Sequence, residues 1–338
     1  MKIKLFLRSA GTLLLAVFFS LYPWQAAALP KITVPDFFLS LSAGTALGEA
    51  REFVYSSDVI VSDLVWPMLP VFLLDAEVSA EWKGGLWIET GFSAGIPAKT
   101  GTMTDSDFLN QPASDEKTHL SVHDGYLEHA FEWTISAGWE FLLRFTVPKA
   151  QKPVSIKPGI GFTIMSYKWS AVDGYTQYEN APGSKNTGDY DAWKSDTAKT
   201  NVYGTGITYQ QLHWIPRIGV SASFPLPLNF TVCAGFSGFP FTWCNGLDNH
   251  WKNGADYYDI MESGFLVEPE LAIYWDYSDR GSVFFEGKWR YIGNLRGDTY
   301  IVNTSTGLSS LYKAEDGEGS GARFSAVYLR AGVRIRLN

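Results

Sequence analysis

Near its C-terminus the chain alternates strictly. Val327, Leu329, Ala331, Val333, Ile335 and Leu337 hold the odd positions, and Arg330, Arg334 and Arg336 are among the even ones. Successive side chains of an extended strand point to opposite faces, so a strand here has an aliphatic face backed by an arginine face. A membrane barrel can use both, turning the apolar face to lipid and the polar face into its lumen. The same code recurs at Leu127, Phe131, Trp133, Ile135 and Trp139 against Glu128, Glu132 and Glu140. It recurs at Phe265, Val267, Leu271, Ile273 and Trp275 against Glu268, Glu270 and Asp276, and at Val283, Phe285, Trp289 and Tyr291 against Glu286, Lys288 and Arg290. Inner faces carrying both signs of charge can pair and fill a narrow interior. A soluble β-sandwich fits less well, because its apolar faces have to meet each other.

The N-terminus agrees with export. Lys2, Lys4 and Arg8 precede the apolar run Leu13 to Leu21, and Ala26-Ala27-Ala28 follows it. This is the layout of a secretory signal over residues 1–28; the apolar run is short for a membrane anchor. Removing those three cations shifts the formal charge from −8 to −11 for a mature chain of 29–338, read as a single domain. An acidic balance argues against a nucleic-acid partner and favours cationic substrates. The 22 Phe, 17 Tyr and 13 Trp suit the two aromatic girdles of a barrel in outer-membrane lipid.

Ten strands are expected, near 36–53, 61–82, 86–103, 120–141, 154–173, 206–224, 228–246, 259–277, 281–298 and 321–337. The fold class is therefore all-β: a ten-stranded antiparallel transmembrane β-barrel. Lys83-Gly84-Gly85, Pro225 to Leu228 and Ser278 to Gly281 make short turns at one end. The segments 104–119, 174–205, 247–258 and 299–320 make long connections at the other, which in such barrels is extracellular.

Two residue pairs at that end carry chemistry. Asp105 and Asp107 flank Ser106, and Asp248 and His250 flank Asn249. At this spacing in extended chain both members of a pair face one cleft. A carboxylate and an imidazole opposed by two more carboxylates can hold and deprotonate a water. The same four side chains are also a mixed donor set for a divalent cation, although a lone imidazole among carboxylates is an ambiguous signal. Cys233 and Cys244 are 11 residues apart on one expected strand, roughly 36 Å at strand rise. That excludes a disulfide between them there and makes both packing residues. His213 reads as a luminal hydrogen-bonding residue and His129 as outward, interfacial packing.

These residues resemble the omptin family of outer-membrane proteases over most of the mature chain. The resemblance is carried by Met103-Thr-Asp105-Ser-Asp107-Phe and Asp248-Asn-His250, with Gly44-Thr45, Arg51 to Tyr55, Val61 to Trp66, Ser114 to His119, Ile207 and Pro216-Arg-Ile-Gly in order between and around them. It implies a surface endopeptidase in the outer membrane with its active site outside, acting on peptides or proteins next to basic residues, and without a cofactor or metal. The implied roles are Asp248 orienting His250, His250 as general base on a water shared with Asp105, and Asp107 positioning that water. Substrate contacts are implied at Glu52, Met103, Asp115, His119 and Ile207. A non-catalytic barrel acting as adhesin or surface binder is the alternative, and a porin a third. The chain departs from the family in several places. Glu52 keeps one acid of the specificity pocket, but the second falls on Gly246. The lipopolysaccharide-binding pattern needs basic residues where Ser166 and Leu212 stand, and so is absent. The chain ends Arg336-Leu-Asn338 instead of on an aromatic residue. Restoring the acid with Gly246→Asp is expected to sharpen basic selectivity.

Overall fold

The computed structural model describes residues 34–110, 114–143, 152–178 and 190–338. The expected signal over 1–28 lies outside them, as does the middle of the expected 174–205 connection. The strands are β1 (Asp36–Ser56), β2 (Val59–Glu81), β3 (Leu86–Gly95), β4 (Ala98–Asp107), β5 (His119–Trp139), β6 (Phe141–Leu142), β7 (Ser155–Tyr178), β8 (Thr200–Asn201), β9 (Thr205–Pro225), β10 (Phe230–His250), β11 (Ala255–Ser278), β12 (Gly281–Asn303), β13 (Ser309–Tyr312) and β14 (Gly319–Arg336). β3 and β4 form one track broken at Ile96-Pro97, with β2 paired to both. Ten antiparallel tracks form a ring that closes where β14 pairs with β1, and closure removes the exposed edges of an open sheet. β6 and β8 add to β7, and β13 adds to β12.

All ten expected strands are present, but several run past their expected ends. The 247–258 connection is mostly strand: β10 continues to His250 and β11 begins at Ala255, in register through Asp248 opposite Tyr257. Side-chain bonds hold these tips in the ladder, with Thr208 Oγ1 donating to Asn249 Oδ1 at 3.2 Å and Asn249 Nδ2 to Asp256 Oδ1 at 2.8 Å. The β1–β2 connection is also tighter than expected, a two-residue turn at Ser57-Asp58 with φ of 52° and 64°.

The arginine face of β14 turns inward as expected. Arg330 pairs with Asp75 at 3.1 Å, Arg334 with Glu81 at 2.9 Å and Arg336 with Asp36 at 2.7 Å. Deeper inside, Arg290 lies between Glu132, at 2.8 Å, and Glu268, which Arg217 also contacts. Leu41, Phe92, Ile160, Phe236, Phe285 and Leu329 are among the exposed apolar side chains of the outer belt.

The alternation is not constant along each strand, and this corrects one expectation. Leu127, read as outward, is buried, while Glu128, read as inward, is partnered on the outer wall by Lys168 at 2.9 Å. A register shift between Leu127 and His129 flips the faces of β5. Comparable shifts occur at Phe239–Thr242 in β10, beside Ser263 (φ 63°) in β11 and beside Asn294 (φ 58°) in β12. Below these bulges β10 turns its half-buried odd positions inward and exposes Phe230 and Phe236; above them it buries Thr242, Cys244, Gly246 and Asp248. Each bulge inserts an unpaired residue and so re-aims every side chain beyond it.

Strands of 21 to 24 residues are about 70–80 Å long at strand rise, while a tilted crossing needs about 9–11 residues. About half of each long strand therefore stands beyond the apolar belt. There the outer wall carries ion pairs, including Arg51 with Glu49 at 2.7 Å and with Asp63 at 3.0 Å.

Candidate active site

The protruding half encloses a cleft with an aromatic floor. Trp66 from β2 stacks on Tyr209 from β9, with centroids 5.6 Å apart, and on Trp169 from β7 at 6.3 Å. Gln211 Nε2 donates to the Arg51 carbonyl across the interior at 2.9 Å. These contacts link β2 to β7 and β9, and β9 to β1, across the interior below the tips of β4 and β10.

Both sequence-predicted pairs face this cleft. Asp248 and His250 sit in the last rungs of β10, opposite Tyr209 and Ile207 of β9. His250 Nε2 lies 2.6 Å from Asp248 Oδ2, the ring nitrogen donating to the carboxylate, which leaves Nδ1 toward the cleft. Tyr257 of β11 packs against the imidazole at 4.8 Å. On β4, Ser62 Oγ donates to Asp105 Oδ1 at 2.9 Å and fixes that carboxylate. The facing charges are close enough to perturb one another, and all lie outside the membrane-spanning belt. Burial and then Asp107 push Asp105 well above the usual carboxylate range. Burial pushes Asp107 up to about 6. Burial raises Asp248 against the opposing pull of His250. Burial pulls His250 down, but the hydrogen bond and charge of Asp248, with Asp105 and Asp107 behind it, leave it raised.

The residues expected to contact substrate divide into two groups. Glu52 of β1 is buried in the cleft wall, and its Oε2 accepts no hydrogen bond among the described residues. Burial raises its pKa strongly, with Asp248, Asp259 and Asp105 adding to the effect. Met103, fully covered two residues before Asp105, belongs to the floor. Ile207 stands directly across the ladder from His250. His119 opens β5 opposite Asp107 and packs edge-on against Tyr178 at 4.7 Å and Tyr190 at 5.1 Å, so it belongs to a strand and not to a loop. Asp115 is exposed on the connection before β5 and touches none of these groups in the described contacts.

Several site residues gave no sequence signal. Ser62 and Tyr257 come from neighbouring strands and are recognisable only through register. Asp259 of β11 lies opposite Gly246, buried, with Thr299 Oγ1 donating to its Oδ1 at 2.7 Å and its Oδ2 unpartnered. Burial pushes it up to about 6 despite that hydrogen bond. Cys233 and Cys244 are both free thiols, Cys244 lying 3.8 Å from His213 Nε2. His213 also bonds Gln211 Oε1 at 3.0 Å, in keeping with its luminal reading. Among the described residues no three His, Cys, Asp or Glu side chains are grouped to hold a metal ion.

Comparison with known proteins places this arrangement. The Omptin family model matches residues 33–337. The protein named plasminogen activator from Yersinia pestis is 22% identical over 326 residues, covering 91% of this chain and 92% of that protein. Outer membrane protease OmpP of Escherichia coli is 25% identical over 308 residues, covering 82% and 86%. The crystal structure of outer membrane protease OmpT from Escherichia coli shares the fold, with a TM-score of 0.74 at 18% identity over 89% of this chain and 97% of that one. The chain belongs to the Omptin family, as an outer-membrane β-barrel.

Proposed function

We propose that this barrel is a surface endopeptidase that hydrolyses peptide bonds by activating a water between two strand tips, with the cleft open to the cell exterior. The observation that carries the reading is the 2.6 Å His250–Asp248 bond facing a pair of carboxylates with raised pKa values. Nδ1 of His250 accepts the proton of a water that Asp105 helps to hold, and the water oxygen attacks the scissile carbonyl carbon. Asp248 stabilises the imidazolium so formed. Burial and mutual repulsion make Asp105 and Asp107 hold a proton more readily than ordinary carboxyls, so a protonated member of the pair can donate to the developing oxyanion. When the carbon–nitrogen bond breaks, the imidazolium returns its proton to the leaving amine. No residue of the chain becomes acylated in this scheme.

The proteases among its relatives support peptides or proteins as substrates. A basic residue on the N-terminal side of the cut bond fits Glu52, and the acidity of the mature chain draws cationic peptides toward the mouth. The test is to incubate the refolded full barrel with a mixed peptide library and identify cut sites by mass spectrometry. Discrete cuts that His250→Ala abolishes, while heat-modifiable migration is retained, support the reading. No cuts by the folded parent, or undiminished cutting by His250→Ala, overturn it.

A further inference from the structure

Two carboxylates in the cleft have no cation to balance them. Glu52 and Asp259 are 3% and 2% exposed, and among the described residues no Lys, Arg or His pairs with either. One oxygen of each, Oε2 and Oδ2, has no well-formed hydrogen bond, with only the neutral donors Trp66 and Ser320 near the two carboxyls, and a buried carboxylate oxygen left so is costly. Lower in the barrel Glu132, Glu268, Asp75 and Glu81 have arginine partners, and Glu77, Glu89 and Glu270, which form no ion pair among the described residues, still lie within the field of Arg217, Arg334 or Lys288.

Asp259 occupies a particular space. A Cβ built on Gly246 would meet Asp259 Oδ2 at 2.7 Å and Asp259 Cβ at 3.0 Å. The Asp259 carboxylate therefore fills the volume that a side chain at 246 would take, two residues before Asp248 on the same face of β10. Gln211, the ladder neighbour of Gly246 on β9, reaches the Arg51 carbonyl, which adjoins Glu52. That bond ties the Gly246–Asp259 rung and Glu52 together from opposite walls. Thr299 holds one Asp259 oxygen and leaves the other directed over Gly246.

We propose that Glu52 and Asp259 together receive a basic side chain of the substrate, with β11 supplying through Asp259 the carboxylate that β10 lacks at Gly246. This rests on the peptidase reading for its biological meaning, but not for its geometry. Acceptors on two walls suit a planar guanidinium fork better than an ammonium, so Arg is favoured over Lys. The glycine is then a requirement of the pocket and not a lost acid. Gly246→Asp would press a second carboxylate into Asp259, reversing the sequence-based expectation that it sharpens selectivity.

The test has one arm that needs turnover and one that does not. In the first, cleavage after Arg relative to Gln is compared for the parent, Asp259→Asn, Glu52→Gln and the swap Gly246→Asp/Asp259→Gly. Asp259→Asn should lower the Arg/Gln ratio at least about tenfold, as Glu52→Gln does, and the swap should recover most of it. In the second arm, binding of n-butylguanidinium to the detergent-solubilised barrel is followed by saturation-transfer NMR. Asp259→Asn should weaken that binding to a similar degree. Guanidinium binding lost in Asp259→Asn while the parent cuts no peptide would sink the peptidase reading and keep the pair. Parent-like ratios and binding in Asp259→Asn would overturn the pair, whatever the parent cuts. If Asp259→Asn loses heat-modifiable migration, the swap decides, since it keeps one carboxylate in the same space: parent-like selectivity supports the assignment, and loss of Arg preference overturns it.

Discussion

Replacing Asp248 by Asn tests how the cleft makes a base. The side chain keeps its size and can still offer a carbonyl oxygen to His250 Nε2, so the ring stays oriented, but the counter-charge of the imidazolium is gone. The bond is 2.6 Å long and the Asp248 side chain is 4% exposed, so solvent compensates little for the loss. A hydrogen bond to a charged group contributes about 1.5–3 kcal/mol. A loss of about 2–3 kcal/mol in the transition state, where the imidazole carries the proton, lowers kcat/KM about 30- to 150-fold at about 1.4 kcal/mol per decade. His250→Ala removes the base altogether and should cost more, in the range of about 10²–10⁴ for a general base. The pH profile gives a second readout. Burial lowers the His250 pKa and Asp248 outweighs it, so the base is neutral only above a raised pKa. In Asp248→Asn the acidic limb of kcat/KM should move to lower pH while the plateau falls. The limb reports the coupled cluster with Asp105 and Asp107, so its direction is the test and not its midpoint. Parent-like turnover, or an acidic limb displaced to higher pH, would refute the assignment.

Three other outcomes follow from the same structure. Asp107 and Asp259 both sit near 6 in the folded chain, above the ordinary value of 3.8, so the folded state takes up protons first as pH falls; stability should rise on acidification through about 6 toward 4, and Asp107→Asn with Asp259→Asn should flatten that slope in melts followed by circular dichroism. Arg290→Met leaves Glu132 without its 2.8 Å partner and should destabilise the barrel by about 3–5 kcal/mol, seen as a lower urea midpoint, whereas an unchanged midpoint would remove the charged plug from the account of stability. Ser166 faces outward on β7, held by Gln210 at 2.8 Å, Leu212 lies opposite it, and nearby Lys168 is engaged by Glu128; lipopolysaccharide added in detergent should therefore stimulate peptidase activity little, and a large saturable activation would overturn this.

The barrel was legible because its lower half follows one rule. Below the bulges, odd and even positions keep their faces for the length of the belt, and the arginines of β14 meet acids on β1 and β2 as that alternation requires. The Asp105–Asp107 and Asp248–His250 pairs were legible for a related reason: a spacing of two keeps both side chains on one face wherever the strand lies. What the sequence hid was long-range register. Leu127 and Glu128 change faces because a bulge follows them, and no local pattern marks it. Asp259 looks like any acid near a strand end. Its place over Gly246 depends on the pairing of β10 with β11, 13 residues away along the chain. The tips of β10 and β11 fall in the expected 247–258 connection, yet the Asn249 side chain holds them in the ladder.

The bulges also explain how one barrel serves two environments. In the belt the outward residue must be apolar, and inward acids such as Glu268 are matched by arginines. Beyond the belt both constraints relax, and the chain places ion pairs outside and carboxylates inside. Without a parity shift, β10 would have to carry its dyad on the face that holds Phe230 and Phe236 below, or give up part of its lipid contact. The shift between Phe239 and Thr242 removes that conflict, as the irregularity beside Ser263 does for β11, which buries Asp259 and Met261 above it and Leu266 and Glu268 below. The resulting cleft holds more negative charge than it can neutralise from its own residues, at a cost in stability that falls on the tips of strands anchored far below. On the proposed reading, a cationic side chain of the substrate would supply the counter-charge that these carboxylates lack.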